Sequence, residues 1–101
     1  MALGLARVEG LSMIPYLAPG DIVLVRYAAA FALNDVVLVQ HSQRVDIKRV
    51  TGITGTQIFV EGDNSAVSQD SRQYGEVHSE HVIARVLVRL PRWLARLAPK
   101  G

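Results

Sequence analysis

The apolar residues of this chain fall in short runs or at every second position, and a helical period of 3.6 is scarce. Ile22-Val23-Leu24-Val25-Arg26-Tyr27 predicts a strand entered through a Pro19-Gly20 turn, and Val36-Val37-Leu38-Val39-Gln40 a second entered through Asn34-Asp35. The two segments, each opened by an aspartate (Asp21, Asp35), resemble each other as similar buried strands rather than as a repeat. His41-Ser42-Gln43 predicts a hairpin turn into Arg44–Thr51. Gly52 to Gly55 is expected to turn the chain into Gln57–Glu61, and a last strand should span about Val82 to Leu90, with Arg85 and Arg89 on one face. Pro91 suits the first turn of a helix, so a short basic helix is expected over about 91–99, with Trp93, Leu94 and Leu97 as its apolar face. Ala28 to Leu33 has the composition for one or two helical turns but little context to sustain them. The expectation is a mainly β protein: one domain over 1–101, built of coiled, mostly antiparallel sheets, with a core at about 8–90.

Composition narrows the chemistry. Half of the 101 residues are hydrophobic but few are aromatic, so the core should be aliphatic and rich in valine. Without cysteine there is no thiol nucleophile, disulfide or Cys-based zinc site. The net charge of +2 is unevenly spread: Arg85, Arg89, Arg92, Arg96 and Lys100 occupy the last stretch with no acid among them, whereas the rest is net acidic. No apolar run approaches the roughly 20 residues that span a bilayer. The first seven residues are too short for a secretory signal and lack its basic start. A cytoplasmic protein is expected, or else a domain whose membrane anchor lies outside this sequence.

Two residues stand out. Ser12 lies between Gly10 and Pro15, where a serine is usually a turn residue. Lys48 lies inside Val45-Asp46-Ile47-Lys48-Arg49-Val50, where alternation puts Asp46, Lys48 and Val50 on one face. A lysine there is most often solvated, and Asp46 offers it an ordinary ion pair. Burial changes that: an amine kept neutral by desolvation can activate a serine without histidine, metal or cofactor. The stretch Gly62–Gly75 is long for so small a protein and dense in groups that bond their own backbone, as functional loops are. His78, Glu80 and His81 lack a third ligand at fixed spacing, and His41 sits in a turn, so neither a metal site nor a Ser–His triad is expected.

Four segments in order resemble the signal peptidase I family over roughly residues 8–90. They are Gly10-Leu11-Ser12-Met13-Ile14-Pro15-Tyr16-Leu17; Pro19-Gly20-Asp21-Ile22-Val23-Leu24-Val25; Asp46-Ile47-Lys48-Arg49-Val50-Thr51-Gly52; and Gly62-Asp63-Asn64 followed by Ser68-Gln69-Asp70-Ser71-Arg72, Gly75 and Val77. The resemblance implies a serine endopeptidase with Ser12 as nucleophile and Lys48 as general base. It further implies that Ser68 orients the amine, that Asp70 and Arg72 pair to shape the loop, and that Gly62, Asp63 and Asn64 turn the loop back to the site. The Ser12 N–H would be the first oxyanion donor. Many family members carry a serine hydroxyl as second donor two residues before the nucleophile, where this chain has Gly10. Tyr16 stands where the motif has threonine, and the family's usual N-terminal anchor and large inserted domain are missing. In that compactness, and in Ser68-Gln69-Asp70-Ser71-Arg72 followed by Gln73-Tyr74-Gly75, the chain is similar to maturation proteases of nickel-type superoxide dismutase.

The reaction implied by the resemblance is cleavage of a precursor's leader peptide, bound as an extended strand, after a small residue. The rivals are a general signal peptidase core, a LexA-type self-cleaving domain, and a peptide-binding module without catalysis. No nucleic-acid partner is expected, because the basic tail lacks interleaved aromatics. The helix at Trp93 offers either a peripheral contact with anionic lipid or a lid on the sheet edge.

Overall fold

The computed structural model describes residues 2–28 and 30–97, with side chains through Leu94. Seven strands form a single antiparallel sheet in the order β1-β2-β7-β3-β4-β5-β6. They are β1 (Leu3–Arg7), β2 (Ile22–Tyr27), β3 (Val36–His41), β4 (Arg44–Thr54), β5 (Gln57–Glu61), β6 (Val77–His78) and β7 (Val82–Arg89). A single turn of helix, α1 (Ser71–Tyr74), and 3-10 turns at Ser79–His81 and Arg92–Leu97 complete it. Among the described residues, no helix is long and apolar enough to cross a membrane.

The sheet buries both its faces, each over a different half. Val23, Val25, Leu38 and Ala84 face Val8, Met13 and Leu17 in one core, while Val37, Val39, Val50, Ile58, Val60 and Val77 make the other. Strand alternation explains the split: neighbours such as Val37 and Leu38 point to opposite sides, and both sides are covered. The continuous aliphatic runs of β2 and β3 follow from this double burial.

Several expectations need correction. Gly52 to Gly55 is not a turn: β4 continues to Thr54, and the reversal comes at Gly55, with φ +61°. Gly52 sits at an irregularity in the β4–β5 register, its α-carbon opposite Phe59, which leaves little room for a side chain. Among the described residues of Ala28–Leu33 there is no helix; Ala28 has φ +52° and 30–32 carry no regular structure. A bulge between Leu24 and Val25 sets Arg85 opposite Arg26 but Arg89 opposite Val23, so the two arginines leave opposite faces of β7. His41 ends β3 instead of occupying the turn, which Ser42 makes with φ +55°. The C-terminal helix is a 3-10 segment, opened by a Leu94 N–H that donates to the Pro91 carbonyl at 2.9 Å. The side chain of Arg96 and all of Lys100 lie outside the described residues.

β1, β6 and α1 went unpredicted. In β1 the large residues Leu3 and Leu5 are exposed and the small Gly4 and Ala6 face inward, an inversion of the usual signal. A β-carbon at Gly4 would come within 2.7 Å of the Tyr27 ring edge and hydroxyl, so a larger residue there would displace the Tyr27 side chain.

Candidate active site

Ser12 is carried by a looped segment between β1 and β2. Gly10 opens it with φ +74°, a conformation that L side chains rarely adopt. Met13 and Leu17, both fully buried, pin the segment to the first core, so Ser12 is held between an exposed Leu11 and a buried anchor. The Ile14–Pro15 peptide is cis. From the opposite side the Gly62–Asn64 turn fastens the same segment. The Asn64 N–H donates to the Ser12 carbonyl at 2.8 Å, and the Asn64 side-chain amide donates to the Leu11 carbonyl at 3.1 Å.

Lys48 comes from the middle of β4, where Ile47 packs against the first core and Val50 lies in the second. Its residue is only 3% exposed. Nζ donates to Ser68 Oγ at 2.8 Å, and Ser68 Oγ donates to Asp70 Oδ2 at 2.6 Å. That second bond commits the Ser68 proton to Asp70, so the serine meets the amine as an acceptor. A neutral amine so held keeps its lone pair directed elsewhere. Burial pushes the Lys48 pKa down; Asp46 and Asp70 oppose the shift, and Arg44 and Arg72 add to it. Asp46, the neighbour most able to keep the amine charged, is engaged by Arg44 Nη2 at 3.0 Å.

Asp70 is wholly buried and organises the loop. Its carboxylate accepts from Ser68, from the Gly62 N–H at 2.8 Å, and from the Arg72 backbone and guanidinium. Burial alone would raise its pKa; Arg72, Ser68 and the two amides outweigh that and hold the carboxyl far below the usual range. Asp70 also caps α1, with Gln73 accepting the Asp70 N–H at 2.8 Å. The Asp-x-x-Gln of a capping box was present in the sequence as the signal for this turn. Asp63 does not reach the cleft: it takes two hydrogen bonds from Arg49, at 2.9 and 2.8 Å.

Arg49 is the residue that sequence reasoning passed over. It also donates to the Asn34 carbonyl at 2.8 Å and stands 4.9 Å from the centre of the Tyr16 ring. It thereby ties β4 to the polar loop and to the Ser12 segment. A second cation beside a candidate catalytic lysine, with an aspartate in the next loop, was the available clue.

Gly62 is buried where these parts meet. A β-carbon there would collide with Ser68 Oγ and lie 2.7 Å from the Ser12 carbonyl. Ser68 is held at both ends and cannot give way, so Gly62→Ala should lower stability by about 2 kcal/mol. It should also reduce any activity that depends on the Ser68–Lys48 contact. Thermal melts and a peptide assay on the same preparation check both.

Ser12 and Lys48 line one open cleft of about 730 Å³, together with the end of β1, the Arg44–Lys48 half of β4, Val67 and Gln69. β4 pairs with β3 along this half, whereas β5 joins it only from Arg49 onward. Among the described residues, the second edge of Arg44–Lys48 therefore has no strand beside it. His78 accepts the Glu80 N–H at 3.0 Å through Nδ1, a capping role, and among the described residues no group of three or more potential ligands could hold a metal.

The sequence pattern of the peptidase S24-like family matches residues 2–87, which is most of the chain and includes every element of the cleft. No curated protein matches the chain.

Proposed function

From the premise that this chain belongs to the peptidase S24-like family, we propose that it is a serine endopeptidase whose nucleophile is Ser12 and whose general base is Lys48. The observation that carries this reading is the state of the amine: buried, biased toward neutrality, and oriented by Ser68 in the wall of the cleft that Ser12 also lines.

Lys48 Nζ takes the proton from Ser12 Oγ as the oxygen attacks the scissile carbonyl carbon. The Ser12 N–H donates to the resulting oxyanion, without the side-chain donor that Gly10 cannot supply. The Lys48 ammonium then protonates the departing amine, and the C–N bond breaks to leave an acyl ester on Ser12. Water, deprotonated by Lys48, attacks the ester carbon; the bond to Ser12 Oγ breaks, the Lys48 ammonium returns a proton to that oxygen, and the acid product leaves. A substrate strand would lie along the open edge of Arg44–Lys48, where backbone hydrogen bonds align the scissile bond.

The substrate we favour is the leader of a precursor protein, cut after a small residue. Precursors of nickel-type superoxide dismutase are the first to try, on the likeness of residues 68–75. A general signal-peptidase role is the alternative within the same chemistry. Trp93, 60% exposed, could add a peripheral contact with anionic lipid. Membership of the S24-like family favours one further reading, a LexA-type domain that cuts its own chain.

The test is hydrolysis of synthetic leader peptides by wild type and by Ser12→Ala. Wild type should cleave them in trans and accumulate an acyl-enzyme visible by mass, and Ser12→Ala should do neither. Activity should rise with pH along a single limb whose midpoint lies below the roughly 10.4 of a free lysine, because the base works deprotonated and its pKa is lowered. Unimpaired cleavage by Ser12→Ala, or a rate independent of pH across that range, would refute the assignment. Loss of mass from the chain itself, without cleavage of added peptide, would favour the self-cleaving reading.

A further inference from the structure

The cleft does not end at Lys48. Beyond Asp46 it continues into a smaller recess of about 270 Å³, lined by His41, Ser42, Arg44, Asp46, Gln69 and Tyr74. Arg44, Asp46 and Gln69 belong to the walls of both. A strand rises about 3.3 Å per residue. A substrate residue lying against Asp46 on the open edge of β4 is thus about two residues from the bond lying against Lys48.

Nothing in the proposed chemistry uses this recess, and its groups share one preference. The Asp46 side chain is only 11% exposed, but its partner Arg44 is 70% exposed. An ion pair held by so exposed a partner is weak, so another cation can take Arg44's place at little cost. The Tyr74 hydroxyl is buried behind the wall with no hydrogen-bond partner among the described residues, so a donor would reach its oxygen only by displacing that wall. The Tyr74 ring stacks on His41, with centroids 3.7 Å apart and planes 16° from parallel, which fixes both rings in the recess wall. An acidic side chain would meet the Asp46 carboxylate. An apolar one would cover the Asp46 carboxylate without pairing it, which is costly.

We infer that this recess is a specificity subsite for a basic side chain, lysine or arginine, carried by the substrate about two residues from the scissile bond, with Asp46 as its anionic partner. The inference rests on the peptidase reading for the position of the bond, but it can be tested apart from catalysis.

Labelled alanine-rich peptides, each with one lysine at a scanned position, are titrated into the Ser12→Ala protein and binding is read by fluorescence anisotropy. Norleucine and glutamate peptides serve as controls. Lysine at the favoured position should bind about tenfold tighter than norleucine. Asp46→Asn should erase that ratio, and Arg44→Ala, which frees the carboxylate, should enlarge it. Equal affinity for lysine and norleucine at every position, a ratio unchanged by Asp46→Asn, or no binding at all would overturn the subsite. Wild-type hydrolysis of the same peptides separates the two ideas. A lysine preference in binding with no hydrolysis sinks the peptidase reading and keeps the recess; hydrolysis indifferent to lysine does the reverse.

Discussion

Replacing Lys48 by methionine should abolish peptide hydrolysis, by a factor on the order of 10⁴ or more, in a protein that melts no lower than wild type. The two halves of that result have a common cause. The amine is buried among aliphatic neighbours, and its pKa is lowered in the fold. The folded state therefore binds this proton less readily than the unfolded state does. Above the unfolded value near 10.4 the lysine carries no penalty; as pH falls toward the folded value the penalty grows, and it persists below. Methionine has similar bulk and no charge to desolvate. Ser68 loses a donor but keeps its bond to Asp70. Comparison of melting temperatures at neutral pH with activity on the same samples checks both claims. A large loss of stability would mean that the lysine is a structural tie, and retained activity would mean that it is not the base.

Asp70→Ala should have the opposite character, a collapse of stability first and of activity in consequence. The wholly buried carboxylate satisfies the Gly62 N–H, the Ser68 hydroxyl and the Arg72 guanidinium together. Removing it strands the buried Gly62 N–H and the Ser68 hydroxyl proton and leaves Arg72 only Glu61 and the Gly62 carbonyl, at a cost of about 3 kcal/mol, or roughly 15 °C in melting temperature for a domain of this size. The same group sets the response to acid. Its folded pKa is depressed, so its contribution is complete above the unfolded value near 3.9 and is lost as pH falls toward the folded one. Wild type should accordingly begin to lose stability below about pH 4, and Asp70→Ala should show a flatter decline there. Chemical denaturation at a series of pH values measures both slopes.

The most legible strands were β5 and those buried on both faces, while β4 and β7, with partly exposed residues, were read with looser ends. β2 and β3 are aliphatic runs opened by an aspartate, and their chain positions follow from composition alone. β1 was hidden because its inward residues are the small Gly4, lying against the Tyr27 ring, and Ala6, while its leucines face out. Gly52 misled because a glycine in a strand can mark a bulge as well as an end. At the site, Ser12, Lys48 and Ser68 could be singled out by pattern, and the fold sets Lys48 against Ser68 and brings Ser12 to the same cleft. What pattern could not supply were contacts between distant segments. Arg49 reaching Asp63 and Tyr16, or His41 stacking on Tyr74 across more than thirty positions, depend on how the sheet coils, and no local period encodes them.

The unpaired flank of β4 has a cost as well as a use. A row of backbone donors and acceptors left open beside Val45, itself 53% exposed, will accept any extended chain that reaches it, including the same segment of another molecule. Concentration thus sets two visitors against each other. A crowded, idle preparation invites copies to stitch together flank to flank, and a substrate seated there as proposed would act as the molecule's own solubiliser.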